Sequence, residues 1–317
     1  MGAELDVSSL FNVKSVLAKP IATVGIALLL FGFYALLFGQ LLHFLWTRPN
    51  VINRRLHIIW ITCLFVMATT TSFVSLASSI EDAVVYFRAL QTQDLDPFFT
   101  YLGPSQAKAG ITGAINIGYV VTNCIADSVL IYRLYAICGS RRRAVAFPIV
   151  ASVVTNAFGL ATAIMKVLSI KINTLEFVMK TVNYYLGYYA ANAAVNGMLT
   201  LMIAGRIWWA ARDARRGTSS HSSISKEFKT VIAMVLESGI VYPTVLIINV
   251  ALIGNGSQLD IIVDLGPAVT LVAGIAPTFV ILWPYITGYV QEGQLENKSV
   301  SFHLESTQVK ETNEDKS

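Results

Sequence analysis

Residues 110–138 read GITGAINIGYVVTNCIADSVLIYRLYAIC, and this stretch decides the fold. It is long enough to cross a bilayer as a helix, yet it contains Asn116, Asn123 and Asp127. At about 100° per residue, these three side chains fall within an arc of roughly 40° on one helix face. A polar stripe on an apolar helix must face protein or water rather than lipid. Other helices are therefore expected to pack against this face.

The composition of the chain indicates that lipid is its solvent. Of 317 residues, 55% are hydrophobic and only 13% are charged, whereas soluble domains average about 25% charged residues. The sequence predicts an all-α polytopic membrane protein with seven transmembrane helices, in a domain spanning 20–289. The apolar segments cover residues 20–46, 56–80, 110–137, 144–168, 182–210, 230–253 and 261–289. A short N-terminal segment, 1–19, precedes this domain, and a polar tail, 290–317, follows it and is expected to be disordered.

The distribution of basic residues predicts the orientation of the chain. The tail and the loops after the first, third and fifth segments hold 16 Lys and Arg residues, against seven on the other side. Because basic residues favour the cytosolic side, the N-terminus is expected outside and the C-terminus in the cytosol. Asn255 begins an Asn-Gly-Ser glycosylation sequon that this topology places outside.

Polar side chains inside the apolar segments form a candidate intramembrane site. The two acids, Asp127 and Glu237, lie about ten residues from the expected cytosolic ends of their helices, roughly 13–15 Å deep. Buried carboxylates in a membrane are costly, so they usually have a partner or a role. Two interpretations stay open: an ionic lock sensitive to protonation or conformation, and hydrogen bonds that only hold helices together. The candidate residues are Asn116, Asn123, Asp127, Asn192, Asn196, Glu237 and Tyr242.

Several chemistries lack the residues that they would need. The segment 261–289 contains no lysine for a retinal Schiff base, and the four histidines and three cysteines show no metal-ligand spacing. No glycine-rich nucleotide loop is present, and the basic loops fit membrane orientation better than nucleic-acid binding. The sequence therefore predicts no catalytic residue, no metal site, no cofactor, no nucleic-acid partner and no enzymatic activity.

The connection between the fifth and sixth segments, 211–229, is rich in Ser and Arg and is expected to be disordered. Arg215 and Arg216 precede Thr218, a pattern suited to basophilic kinases, which makes Thr218 a candidate phosphorylation site. Phosphates would offset the positive charge of this loop and weaken its attraction to anionic lipid. The alternative is an unregulated linker.

Four short motifs resemble a large family of uncharacterised seven-helix proteins of mushroom-forming fungi. They are LIYRLY at 130–135, GRIWW at 205–209, ESGIVY at 237–242 and GIAPT at 274–278. The resemblance covers most of the chain from about Leu56 to Pro284. It departs from the family at 279–283, where no arginine follows GIAPT. The family resembles G-protein-coupled receptors in layout, although the acidic-Arg-aromatic triplet and the Asn-Pro-x-x-Tyr pattern of such receptors are absent.

The resulting hypothesis is a receptor-like protein of the plasma membrane or an endomembrane. It would sense a small-molecule or peptide ligand outside and act on a cytosolic signalling protein through its loops. The alternative is a transporter or channel that uses Asp127 and Glu237 as coupling carboxylates.

Overall fold

The computed structural model describes residues 18–47, 53–92, 96, 100–101, 103–139, 142–217, 223–254 and 263–282. For residues 142, 144, 210–211, 213–217 and 223–238 only the backbone is described. Seven long helices account for nearly all of this part of the chain. They are α1 (Lys19–Thr47), α2 (Arg54–Thr92), α3 (Gln106–Ile137), α4 (Arg142–Ile172), α5 (Leu175–Gly217), α6 (Ser223–Gly254) and α7 (Gly266–Leu282). The fold is all-α, as predicted.

Four of these helices are long and apolar enough to cross a membrane: α1, α2, α3 and, over Val145–Ile172, α4. Shorter apolar stretches lie in α6, over Gly239–Gly254, and in α7. Large apolar side chains also cover the outer surface, among them Leu29, Leu36, Val153, Val154 and Leu201. In water such a surface would drive aggregation, whereas lipid tails solvate it. The chain is therefore suited to a membrane.

Three helices extend beyond the apolar segments. α2 continues to Thr92, so the connection expected from residue 81 onward begins as helix. α5 continues to Gly217 and α6 begins at Ser223. The prediction of disorder over 211–229 is therefore wrong for most of that stretch, although residues 218–222 lie outside the described residues. Ala and Arg are strong helix formers, and residues 210–216 read AARDARR, so helix propensity prevails over polar composition.

The most enclosed helices are α3 and α7. Buried residues make up 56% of the apolar window of α3, compared with 22–33% in α1, α2 and α4. From Pro267 onward, every residue of α7 is buried except Ala276 and Phe279, which are half-buried. The polar stripe predicted the burial of α3. No comparable signal marks α7, because a helix that is apolar on every side has no preferred face to hide.

Four helix pairs approach each other closely at a glycine. In each case a methyl group on the glycine would collide with a side chain of the neighbouring helix. Small residues at such positions let helices pack through van der Waals contact, which is the main attraction between helices in lipid. The pairs are Gly118 with Thr71, Gly159 with Tyr188, Gly239 with Thr200, and Gly274 with Tyr34.

Candidate functional site in the polar interior

The polar face of α3 forms the centre of the candidate site. Tyr119, Asn123 and Asp127 are spaced four residues apart, so they follow one another along the same side of the helix. All three are almost completely buried, with exposed fractions of 3%, 0% and 1%. The helices α2, α4 and α5 pack around α3. The polar stripe predicted from the sequence therefore faces the neighbouring helices.

The hydroxyl of Tyr242 joins α6 to α3 and α5. It donates a hydrogen bond to Asn123 Oδ1 and lies 3.1 Å from the hydroxyl of Tyr119. Asn192 Nδ2 donates to the hydroxyl oxygens of Tyr119, at 3.2 Å, and of Tyr242, at 3.0 Å. Because Tyr242 uses its only proton on Asn123, Tyr119 must be the donor toward Tyr242. Each hydroxyl proton and each amide proton of Asn192 then has one acceptor.

The group continues toward the other end of α5 through Asn196. Asn196 Nδ2 donates to Asn192 Oδ1 at 2.9 Å and to the Asn192 carbonyl at 3.1 Å. Asn123 Nδ2 donates to the Tyr119 carbonyl at 3.1 Å, which fixes the amide orientation. The hydrogen bonds therefore form a chain in which each group donates to the next. Asn196 donates to Asn192, Asn192 donates to Tyr119 and Tyr242, and Tyr242 donates to Asn123. Buried polar groups that are all satisfied select one arrangement of their helices.

Asp127 joins α3 to α4. Its Oδ2 accepts a hydrogen bond of 2.7 Å from the Ser152 hydroxyl and one of 3.1 Å from Asn156 Nδ2. Asn156 also donates to the Ser152 carbonyl, at 2.9 Å, which orients its amide. The other carboxyl oxygen, Oδ1, is buried and accepts no hydrogen bond from the described residues, while the Asn196 amide acts on the carboxyl at longer range. Asp127 is thus held on one side only.

A layer of tyrosines covers the network on the α5 side. The rings of Tyr188 and Tyr189 lie 6.0 and 5.2 Å from that of Tyr119. The hydroxyls of Tyr185 and Tyr189 are hydrogen-bonded, and Lys166 Nζ of α4 sits 3.9 Å from the centre of the Tyr185 ring. This cation–π contact joins the tyrosine layer of α5 to α4.

Sequence reasoning missed several of these side chains. Tyr119, Ser152, Asn156 and the tyrosines of α5 were not among the candidate residues, because single polar groups in an apolar helix are common. One signal was available: Tyr119 lies four residues before Asn123, and Ser152 lies four before Asn156. That spacing places each pair on one helix face.

The remaining candidates are placed differently. Asn116 is buried but donates only to the Thr112 carbonyl of its own helix, at 2.7 Å, so its described hydrogen bond does not reach the network. Glu237 lies in α6, in the part where only the backbone is described, so its place in the candidate site stays a prediction. Asn255 and Thr218 lie outside the described residues. The structure therefore brings together Asn123, Asp127, Asn192, Asn196 and Tyr242.

A separate polar cluster connects the start of α3 to the C-terminal part of α2. The Tyr101 hydroxyl donates to Asp82 Oδ1 at 2.6 Å, and Lys108 Nζ lies 3.8 Å from the same oxygen. Lys108 also lies 4.1 Å from the centre of the Tyr101 ring. Partial burial and the adjacent Asp82 carboxylate raise the pKa of Tyr101 above that of a free tyrosine. The Ser105 hydroxyl caps α3 by accepting from the Lys108 N–H.

Comparisons with models of protein families, with curated proteins and with solved structures found no match to this chain. The site is therefore interpreted from its own chemistry. Within the described residues, no three His, Cys, Asp or Glu side chains are close enough to hold a metal ion together. The network offers buried hydroxyls, amides and one carboxyl, which can hold helices in one arrangement, exchange hydrogen bonds or take up a proton.

Proposed function

We propose that this chain is a receptor-like seven-helix membrane protein that senses a ligand outside and signals through its cytosolic loops. The observation that carries the proposal is the hydroxyl of Tyr242, which holds α6 to both α3 and α5. A helix held by a few buried hydrogen bonds can take up a second arrangement when those bonds are exchanged. The resemblance to fungal seven-helix proteins agrees with this layout and stays a prediction.

The position of Pro243 supports a hinge in α6. Proline has no backbone N–H, so the carbonyl of Gly239, four residues earlier, loses its helical donor. The Thr200 hydroxyl of α5 donates to that carbonyl instead, at 3.3 Å. The helix is thus weakened directly beside the Tyr242 contact and is supported there by α5. A change of hydrogen bonding at Tyr242 would alter the bend of α6.

The length of α5 and α6 would carry a change in this bend to the cytosolic side of the membrane. α5 has 43 residues and α6 has 32, so at 1.5 Å per residue they measure about 64 and 48 Å, against about 30 Å of bilayer core. A small change of angle at Pro243 would therefore become a displacement at the far end of α6. This is the mechanical property that a transmembrane signal needs.

The proposed topology makes the first prediction. A tag placed before Met1 should be accessible to antibody on intact cells, and a tag placed after Ser317 should be accessible only after permeabilisation. The reason is the excess of 16 to seven basic residues on the expected cytosolic side. Epitope labelling of whole and permeabilised cells measures this directly. A C-terminal tag stained on intact cells would refute the orientation.

Tyr242→Phe tests the function. We expect this variant to raise basal nucleotide exchange on the cognate G protein roughly 3- to 20-fold, because a membrane hydrogen bond contributes about 0.6–1.7 kcal/mol to the arrangement that it holds. The measurement is binding of a non-hydrolysable GTP analogue in nanodiscs, across a panel of purified heterotrimeric G proteins. Tyr184→Phe is the matched control, since Tyr184 is 49% exposed.

Two results would contradict the receptor proposal. One is equal exchange by wild-type protein, Tyr242→Phe and Tyr184→Phe at the level of empty nanodiscs with every G protein. The other is an equal rise for both variants, which would assign the effect to the loss of any tyrosine hydroxyl.

A transporter or channel is the second candidate function. Its support is the buried Asp127 with one oxygen that accepts no hydrogen bond within the described part of the chain. Such a carboxyl can take up a proton or face a passing cation. Proton flux into proteoliposomes that stops in Asp127→Asn, together with no nucleotide exchange, would favour this candidate over the receptor.

A further inference from the structure

A cavity with no role in the proposed signalling lies at the beginning of α2. Its volume is about 680 Å³, and it opens broadly to the surface of the protein. The lining residues are Asn53, Arg54, Arg55, Leu56 and Ile58. It therefore combines two guanidinium groups with two aliphatic side chains. This mixture differs from the polar interior around Asp127, which holds no basic side chain in its described hydrogen bonds.

The polar half of the cavity carries positive charge that no described acid neutralises. Within the described residues, neither Arg54 nor Arg55 forms an ion pair, and the first turn of α2 contains no acid. The helix start adds to this charge, because its first N–H groups point away from the helix with the positive end of the dipole. Arg133 of α3 acts electrostatically on the adjacent His57, so a third basic residue lies nearby.

Within the described hydrogen bonds, the side chain of Asn53 does not cap this helix start. Asn53 adopts a positive φ of 57°, and its carbonyl accepts from the N–H groups of Leu56 and His57. Its side-chain amide points elsewhere and donates to the Tyr132 hydroxyl of α3, at 2.5 Å. An asparagine at this position would ordinarily cap the helix with its side-chain oxygen. Within the described residues, the backbone N–H groups of Arg54 and Arg55 donate no hydrogen bond, so they can face an anion.

The apolar half of the cavity indicates a ligand with a hydrocarbon part. Leu56 and Ile58 line it, and Ile59 beside them is 57% exposed. The rings of Trp60 and Tyr132 pack edge to face with centres 5.0 Å apart, and His57 packs against both. Trp and Tyr concentrate at the level of lipid headgroups. A free anion would use the arginines alone, whereas a lipid would also use the aliphatic wall.

We propose that this cavity binds the phosphate headgroup of an anionic membrane lipid. Arg54 and Arg55 contact the phosphate oxygens, with the helix N–H groups behind them, and Leu56 and Ile58 contact the first carbons of the acyl chains. Planar guanidinium groups match phosphate geometry by donating two parallel hydrogen bonds. The site does not depend on the receptor proposal, because it requires only that the start of α2 lie at a membrane surface.

The experiment compares two double variants in nanodiscs of phosphatidylcholine containing 5% of a fluorescent phosphatidylinositol monophosphate. We expect Arg54→Gln/Arg55→Gln to bind this lipid roughly 10- to 30-fold more weakly than wild type. The control, Arg143→Gln/Arg212→Gln, removes the same charge at exposed helix ends outside the cavity, so it measures the general attraction of the surface and should lose at least about 3-fold less affinity. Equal loss in both variants would show general charge attraction and overturn the site.

Two further arms separate a lipid from a soluble phosphate. Inorganic phosphate and the deacylated headgroup, at the concentration of the lipid, should displace less than about a tenth of it, since they lack contact with Leu56 and Ile58. If either competitor displaced the fluorescent lipid as strongly as the unlabelled lipid does, the ligand of the cavity would be a free anion and not a lipid. In wild-type protein, a photoactivatable phosphatidylinositol monophosphate should crosslink within residues 53–60. Crosslinks confined to other segments would overturn the proposal even if the arginine variants misfold.

Discussion

Gly274→Val is expected to destabilise the protein by about 3 kcal/mol, and in cells to remove most of the folded chain. A methyl group at this position would lie 2.5 Å from the Tyr34 hydroxyl and 2.8–2.9 Å from two ring carbons. Tyr34 is fully buried in the core between α1 and α7, so its ring cannot move aside. The larger valine must therefore push α7 away from α1. Thermal unfolding in detergent, compared with wild type, measures the loss.

A matched control and a rescue define the cause of this loss. Gly32→Val replaces an exposed glycine of α1 that has no atom within 4 Å, and it should change stability by less than about 1 kcal/mol. Tyr34→Ala alone should cost about 3–5 kcal/mol through the cavity that it leaves. The double variant Tyr34→Ala/Gly274→Val should lose clearly less than the sum, because the valine enters that cavity. Strict additivity would contradict the packing of Gly274 on Tyr34.

Asp127→Leu should cost about 2–4 kcal/mol, whereas Asp127→Asn should cost no more than about 1–2 kcal/mol. In the leucine variant, the Ser152 hydroxyl and one Asn156 proton lose their acceptor, and each buried donor left unpaired costs about 1–3 kcal/mol. Asparagine keeps an acceptor oxygen in the place of Oδ2. Its amide nitrogen takes the place of Oδ1 and brings N–H groups that have no acceptor among the described residues, so a smaller cost remains.

Thermal unfolding of the two variants in the same detergent gives the comparison. Ser128→Ala serves as a control on the same helix, because the Ser128 hydroxyl is exposed and donates only to the Cys124 carbonyl of α3. Its stability should match that of wild type within about 0.5 kcal/mol. Equal losses in Asp127→Leu and Asp127→Asn would mean that the carboxyl group itself is needed, and the hydrogen bonds from Ser152 and Asn156 would not be the reason for its burial.

The orientation of α3 was predictable from the sequence. Asn123 and Asp127 lie within one narrow arc of an apolar helix, and lipid cannot solvate them, so that arc had to face protein. The spacing of Asn192 and Asn196 gave the same information for α5. The lengths of the helices were less predictable. Residues 81–92 and 211–217 are polar enough to resemble loops, yet they continue α2 and α5 as helix. Composition alone did not reveal this, because an exposed polar helix and a loop can have the same composition.

The sequence by itself determined which face of each helix is polar, since that property depends only on neighbours three and four residues away. It could not determine which faces meet. Tyr242 reaches Asn123 and Asn192 across 119 and 50 residues of chain, and Asp127 meets Ser152 rather than an opposite charge in the described contacts. These pairings depend on how far each helix is rotated and raised against the next. Close contacts at glycines such as Gly159 and Gly274 set that rotation and height, and only the assembled bundle contains them.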